Sequence, residues 1–288
     1  MKSTPPYSGS RPADVGADLL ADLGAALAGA RLGAAGAIAA WPVLLGRAVF
    51  YVLLLIVLTA LWDKVIAERL SGTLAASLPP GGLTLYIGVT EWITLSVPAI
   101  HLRLEDDIRS GGLEILLLRP RSWLAQRIAE SLGAMLVRMA VTGVAALTML
   151  TLAGRPWPPL AVLGLLALIG PLGAVTGVLL YAVAGLSAFW VRRTLPAMLV
   201  VQKLMFLLGG LFAPITLYPA WLARLGAVSP FAANLYWPAA LTVAPTRPAI
   251  AAVVAAALAS QAFWIGALCV AIAGVWRAGL RKVLRGDL

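Results

Sequence analysis

The stretch LAVLGLLALIGPLGAVTGVLLYAVAGLSAF, residues 160–189, decides the class of fold. It runs for thirty residues without a charged side chain. A helix of this length rises about 45 Å at ~1.5 Å per residue, whereas the hydrocarbon core of a bilayer is about 30 Å thick. We therefore interpret the stretch as a membrane-spanning helix.

The whole chain shares this apolar character. Of its 288 residues, 61% are apolar and 12% are charged, whereas a soluble domain carries about 25% charged residues. The apolar blocks predict an all-α polytopic membrane protein with six transmembrane helices. We place the spans near residues 46–66, 83–100, 128–153, 160–189, 195–217 and 249–276.

The net charge of +10 is explained by membrane topology. When residues near the span ends are counted with the adjoining tail or connection, sixteen Lys and Arg residues belong to the N-terminal tail, the second and fourth connections and the C-terminal tail, against five in the other connections. Cytoplasmic loops are enriched in these residues, so we expect both termini to be cytoplasmic. This interpretation leaves no reason to expect a nucleic-acid partner.

Three regions follow from the spans: a cytoplasmic tail at 1–45, a transmembrane domain at 46–276 and a basic cytoplasmic tail at 277–288. The first tail contains aspartates at four-residue spacing and a leucine stripe. They are Asp14, Asp18 and Asp22, with Leu19, Leu20, Leu23 and Leu27. This pattern predicts an amphipathic helix on the cytoplasmic membrane surface; the alternative is a surface helix packed on the spans.

Several chemistries are not expected of this chain. A single histidine, His101, and a single cysteine, Cys269, leave no His or Cys metal cluster and make an intramembrane catalytic centre a poor interpretation. None of the four lysines follows the glycine-rich turn of a P-loop. We expect neither enzymatic activity nor a cofactor bound by this chain.

Ionisable residues inside spans are costly unless paired or hydrated, which makes them candidates for function. Glu91 lies near the middle of the second span, Arg138 within the third, and Gln202 and Lys203 in the fifth. Two interpretations stay open. Glu91 pairs with Arg138 or Lys203 to lock neighbouring helices, or these side chains contact substrate or a water-filled path.

The second connection, residues 101–127, is too elaborate for a simple tether. Acidic residues precede Arg109, Gly111 and Gly112 break the helix, and a short apolar helix at 113–118 ends at Arg119 and Pro120. This pattern is typical of an element that docks onto a partner. An ordinary interfacial loop is the alternative.

The fifth connection is too apolar for an open-water loop, although it would lie outside. We predict short re-entrant helices over 211–241, a path that is permitted where the backbone packs against protein. The residues that mark this segment are Pro214, Pro219, Trp221, Pro230 and Phe231.

Two stretches carry a family resemblance. DDIRSGGLEILLLRPRSW, from residue 106, resembles the cytoplasmic loop of ABC-2-type transporter permeases whose loop reads D-I-R-x-G-x-L-E-x-x-L-x-R-P. LFAPITLYPAWLARLGAVSPFAANLYWPAAL, residues 211–241, is similar to that subgroup's segment between its fifth and sixth spans. Elsewhere only span count and spacing agree.

The resemblance implies a type V exporter-like permease with an N-terminal interfacial helix, a coupling helix and outer re-entrant helices. It implies a prokaryotic cytoplasmic membrane, two separate ATPase subunits that bind ATP and Mg²⁺, and a second permease, identical or paralogous. The cargo would be amphiphilic or hydrophobic, such as a drug, lipid, peptide or glycoconjugate. The expected coupling residues are Glu105, Asp106, Asp107, Ile108, Arg109, Gly111, Gly112, Leu113, Glu114, Leu118, Arg119 and Pro120.

One other class of transporter competes with this interpretation. A proton- or cation-coupled secondary transporter would use Glu91 as its coupling group. Such proteins often show repeated halves with broken helices in matching positions. The sequence shows no convincing internal repeat, which favours the ATP-driven permease.

Overall fold

The computed structural model describes residues 12–69, 81–110, 123–155, 157–244 and 246–285. Within these ranges all the regular elements are helical. The α-helices are α1 (Pro12–Ala39), α2 (Trp41–Arg69), α3 (Gly82–Ser96), α4 (Ile100–Arg109), α5 (Trp123–Leu152), α6 (Leu160–Leu186), α7 (Leu195–Leu208), α8 (Ala220–Ala227), α9 (Trp237–Ala240) and α10 (Arg247–Leu284). Single turns of 3₁₀-helix lie at Ser187–Phe189 and Ile215–Leu217, and a π-helical turn lies at Ala232–Tyr236.

Five helical segments in the described ranges are long and apolar enough to cross a bilayer. They are Trp41–Trp62, Gly82–Arg109, Trp123–Leu152, Leu160–Phe189 and Arg247–Leu284. Each overlaps one of the predicted spans, so the all-helical polytopic membrane class is confirmed.

The predicted fifth span, 195–217, is longer than the helix that forms there. Helix α7 ends at Leu208 after 14 residues, about 21 Å, which is shorter than the ~30 Å hydrocarbon core. Gly210 explains the end of the helix, because its φ of 67° is left-handed backbone that favours glycine. Its carbonyl accepts a hydrogen bond from the Tyr86 hydroxyl at 2.7 Å, which holds this turn against α3.

The predicted second span, 83–100, is interrupted. Helix α3 ends at Ser96, Val97 is extended, and α4 begins at Ile100. Pro98 explains the break, because it has no N–H to donate to the preceding turn.

The last helix extends beyond its predicted span, 249–276. Helix α10 continues to Leu284 and measures 38 residues, about 57 Å. Part of the predicted tail 277–288 is therefore a helical extension. Its Lys282 ammonium donates to the carbonyl of Phe189 at 2.9 Å, and a Cβ on Gly279 would overlap the Phe189 ring.

Helix α6 forms the centre of the bundle. It contacts α3, α4, α5, α7 and α10, and Ile169, Ala174 and Val178 on it are fully buried. Gly170 leaves room for the ring of Trp92 from α3, whose indole N–H donates to the Met139 carbonyl on α5 at 2.8 Å. Trp92 thereby joins three helices.

Helix α1 packs closely across the first half of α5. A Cβ on Gly33 would overlap the Glu130 carbonyl, and a Cβ on Gly133 would overlap the Ala30 carbonyl. Small residues four apart, here Gly29 and Gly33, allow such backbone approach. The contact matches the packed alternative for this helix, while a position along the membrane surface stays a prediction.

We expect Gly33→Ala to destabilise the protein by about 1–3 kcal/mol, because the added methyl group must push α1 away from α5. Gly36→Ala is the matched control, since a Cβ there would meet no described residue within 4 Å. Alanine favours a helix over glycine, so this control should be neutral or slightly stabilising. Thermal unfolding in detergent measures both; equal effects would contradict the packing.

Candidate functional site

The break between α3 and α4 leaves backbone carbonyls without helical donors, and two arginines supply donors. Arg47 of α2 donates to the Leu95 carbonyl at 2.7 Å, and Arg138 of α5 approaches the Val97 carbonyl at 3.5 Å. The last carbonyls of a helix carry partial negative charge, so cations are favourable there. The two side chains join α2 and α5 to the interruption in α3.

The prediction that Glu91 pairs with Arg138 or Lys203 is not confirmed in the described part of the chain. Its side chain is buried, at 7% exposure, and no ion pair joins it to Arg138 or Lys203. Arg138 is directed to the α3 carbonyl instead. Glu91 lies within electrostatic range of Tyr51, whose hydroxyl donates to the Gly88 carbonyl at 2.7 Å.

The remaining intramembrane candidates have exposed side chains on the surface of the helix bundle. Both Gln202 and Lys203 are exposed on α7. The Gln202 side chain hydrogen bonds to the Tyr181 hydroxyl. The structure therefore does not bring the four candidates together into one site.

Helix α4 lies at the basic end of the bundle, which we define by α4, the start of α5 and the last turns of α10. Its inner face buries five residues: Ile100, His101, Leu104, Glu105 and Ile108. Gly185 of α6 permits this close contact, because a Cβ there would lie 2.8 Å from the His101 Cα. The opposite face exposes Asp106 and Arg109 to the surroundings.

Glu105 fastens α4 to the start of α7. Its carboxylate, 6% exposed, accepts a hydrogen bond from the backbone N–H of Thr194 at 2.8 Å and a second from the Thr194 hydroxyl. Arg193 lies 3.7 Å away. Because Thr194 immediately precedes α7, the carboxylate lies at a helix N-terminus, where negative charge is favourable.

Asp107 fastens α4 to the start of α5. Both its oxygens accept from Arg127, at 2.7 and 3.0 Å, and the Trp123 indole donates to it at 3.1 Å. Arg127 also donates to Glu130 at 3.0 Å. Paired arginine–carboxylate contacts of this kind fix geometry as well as charge.

The predicted coupling residues that the structure describes fall into two groups. Glu105, Asp107 and Ile108 contact the bundle, and Asp106 and Arg109 are exposed. The others lie outside the described residues: Gly111, Gly112, Leu113, Glu114, Leu118, Arg119 and Pro120.

Several partners of this site were not among the predicted site residues, including Arg47, Trp123, Arg127 and Thr194. Pro98 is the residue in the sequence that could have predicted the break between α3 and α4, which Arg47 caps. No local pattern connects Thr194 to a carboxylate 89 positions earlier.

The segment between α7 and α10 returns into the bundle at the end opposite α4. Trp221 is 67% exposed on α8, and Pro219 is exposed beside it. Pro214 and Phe231 are buried and Pro230 is partly buried. Nearly all residues from 231 to 242 are buried, and the π-helical turn packs on α6.

Two buried amide side chains lie where this segment meets α6 and α10, and one of them, Gln261, holds it in place. Gln261 of α10 donates to the carbonyls of Ile169 and Ala233, at 3.0 and 3.2 Å. Asn234 is fully buried, and neither its amide nitrogen nor its oxygen has a hydrogen-bond partner among the described residues. It lies against Gly177, which has no side chain to exclude it.

We expect Thr194→Val to destabilise the protein by about 1–3 kcal/mol, because the buried Glu105 carboxylate loses one of its two donors. Thr148→Val is the control: its exposed hydroxyl bonds only to its own helix, at the Val144 carbonyl, so its effect should stay within about 0.5 kcal/mol. Thermal unfolding in detergent measures both. Equal effects would show that this contact is not energetically special.

A double-mutant cycle tests the contact between α4 and α5. We expect Asp107→Asn and Arg127→Gln to couple by about 1–2 kcal/mol, within the range measured for residues in direct contact. The matched cycle uses Arg103→Gln and Glu130→Gln, a pair 4.0 Å apart with Arg103 57% exposed. That coupling should be below about 0.5 kcal/mol, and stronger coupling there than at Asp107 would contradict the assignment.

Comparison with known proteins adds one finding. A family model described as ABC-2 family transporter protein matches residues 83–284, which is more than two thirds of the chain. Neither the curated proteins nor the solved structures gave a match. The match covers α3 to α10, and thus both the α4 contacts and the returning segment. The chain therefore belongs to the ABC-2 family of transporter proteins, as the membrane-embedded permease part of an ABC transporter.

Proposed function

We propose that this chain is the permease subunit of an ATP-driven exporter that moves an amphiphilic or hydrophobic cargo, such as a drug, lipid, peptide or glycoconjugate. Two permeases, identical or paralogous, share the pathway. Two separate cytoplasmic ATPase subunits bind ATP and Mg²⁺ and supply the work. Family membership supports this proposal, because permeases of this kind normally work with ATPase subunits.

The observation that carries the proposal is the attachment of α4. One short helix is fixed to the start of α5 through Asp107 and to the start of α7 through Glu105. Its buried face packs on α6. A push on α4 therefore reaches three helices at once, as expected of the input element of a rigid-body transition.

In the sequence, α4 is followed by the predicted coupling helix at 113–118, which lies outside the described residues. Asp106 and Arg109 offer charges of both signs to a partner. We place this basic end in the cytoplasm of a prokaryotic cell, with the protein in its cytoplasmic membrane, because Lys and Arg are concentrated on cytoplasmic sides. Both termini then lie in the cytoplasm.

The proposal retains six spans. Helix α7 crosses most of the bilayer, and the turn at Gly209 and Gly210 leads into the short elements that complete the crossing. The buried stretch 231–242 then returns towards the outer surface before α10. Irregular backbone at membrane depth is tolerated where protein covers it, and the burial of this stretch supports such a path.

A second candidate rests on Glu91. It is buried and has no ion-pair partner among the described residues, and such a carboxyl group is typical of proton-coupled transport. A proton- or cation-coupled carrier would move its cargo without an ATPase. The two candidates differ in their energy source, which can be measured.

We expect Arg109→Glu to reduce co-purification of the ATPase subunit by about tenfold, as the loss of one charged contact would. Glu114→Arg should act in the same direction. Arg281→Glu is the control, because Arg281 is exposed on α10 at the same basic end. Unchanged association in both test variants would show that residues 101–127 are not the docking element.

Transport in proteoliposomes distinguishes the two energy sources. We expect transport to stop when the ATPase partner cannot hydrolyse ATP and to continue when the proton gradient is dissipated. Glu91→Gln should leave this ATP-driven transport in place. The reverse pattern, together with loss of transport in Glu91→Gln, would establish the proton-coupled carrier.

A further inference from the structure

A cavity of about 440 Å³ lies between α2, α3, α5 and α6, within the range of ~300–1,000 Å³ typical of ligand sites. Its walls are almost entirely apolar, and they include Leu55, Val89, Trp92, Met139 and Leu166. On one side it is bordered by Leu136, which is 52% exposed. A ligand can therefore enter laterally from the surroundings of the helices, which in a membrane are lipid tails.

The shape of the cavity is that of an elongated groove. Along α5 its lining runs from Leu136 to Leu150, about 21 Å at ~1.5 Å per residue. One leaflet contributes about 15 Å of the hydrocarbon core. The groove is thus long enough for one acyl chain lying along the bundle.

The end of the groove nearest α4 is cationic. Tyr51 and Met139 line the groove; Arg47 lies one helical turn before Tyr51, and Arg138 directly precedes Met139. The charges of Arg47 and Arg103 act on Arg138, so the three guanidinium groups lie within electrostatic range.

No described carboxylate neutralises the charges of Arg47 and Arg138. In the described part of the chain, no carboxylate lies within 4 Å of Arg47 or Arg138. Of the acids on the same helices, Glu130 is held by Arg127, and Glu91 forms no ion pair with a described residue. The cations therefore have capacity for an anion.

Arg47 and Arg138 also have N–H donors that the backbone carbonyls do not use. Each guanidinium carries five N–H donors, and among the described residues each donates to one carbonyl at the break between α3 and α4. The Arg47 Nε is buried and has no hydrogen-bond partner in the ranges that the structure describes. Guanidinium groups match the geometry of phosphate oxygens, with which they form paired, charge-assisted hydrogen bonds.

We propose that this groove binds one membrane phospholipid, with an acyl chain in the cavity and the phosphate at Arg47 and Arg138. A water-soluble anion would leave the apolar groove empty, and a neutral hydrocarbon would leave the arginines without a counter-charge. A phospholipid satisfies both ends. The site is separate from the α4 attachment and does not depend on ATP-driven export.

Native mass spectrometry of the full chain, delipidated in detergent and titrated with phosphatidylglycerol, tests the site. We expect one tightly bound lipid per chain. Ala146→Phe blocks the groove about 12 Å along α5 from Arg138 and should weaken binding about tenfold. Arg47→Gln combined with Arg138→Gln should weaken it by a similar factor. The corresponding double lysine variant keeps the charges but loses the paired hydrogen bonds, so it should weaken binding less than the double glutamine variant.

Two matched variants and two further probes complete the experiment. Val144→Phe, on the exposed face of α5, and Arg281→Gln, on α10, should bind as the wild type does. Diacylglycerol, which lacks the phosphate, should bind about tenfold more weakly than phosphatidylglycerol, and inorganic phosphate alone should not displace the lipid.

Specific outcomes would overturn the proposal. Unchanged lipid binding in Ala146→Phe, a variant that leaves the capped break untouched, would rule out the groove. Equal binding of diacylglycerol would remove the role of the arginines. Full displacement by inorganic phosphate would reduce the site to an anion site, and none of these results bears on whether an ATPase drives transport.

Discussion

Backbone carbonyls cannot be left unpaired in hydrocarbon, and the interruption at Pro98 exposes several of them. Arg47 and Arg138 meet this requirement from two different helices. The interruption thereby becomes a junction at which α2, α3 and α5 are joined. It also ends α3, so that α4 can begin as a separate helix with its own packing face. Most of the features that bear on function lie within one or two turns of this junction.

The separation of α4 from α3 gives the basic end its organisation. A continuous helix through residues 82–109 would carry Glu105 and Asp107 along a single axis with α3. As a separate helix, α4 directs one carboxylate to α7 and the other to α5, while its apolar face lies on α6. The same capping arginines lie at the end of an apolar groove. We therefore regard the junction as a link between the surface proposed to receive a partner and the surface proposed to bind lipid.

The prediction of the elements was most accurate where a long apolar run decides the outcome. The segment 160–189 coincides with α6 and its last 3₁₀ turn, because an uncharged run of that length has few alternatives in a membrane. The prediction was less accurate where a local break in the backbone decides where a helix ends. The helix predicted to 217 ends at Leu208, before a left-handed glycine, and the span predicted over 83–100 is divided at Pro98. Both signals are present in the sequence, but their consequence depends on which partners, Tyr86 and Arg47, reach the exposed backbone.

By itself, the sequence determined the membrane class, the approximate spans and the family, since apolar length, the asymmetry of basic residues and two local motifs are properties of consecutive residues. Tertiary structure decided which polar side chains meet. Glu105 accepts a hydrogen bond from Thr194, and Arg138 contacts the end of α3 and not Glu91. Contacts between residues so far apart in the sequence depend on how the helices cross. The close crossing of α1 and α5 at Gly33 and Gly133 has the same origin. Helix formation needs only neighbouring residues, whereas the placement of charges needs the packed bundle, where each buried polar group must find a donor or acceptor.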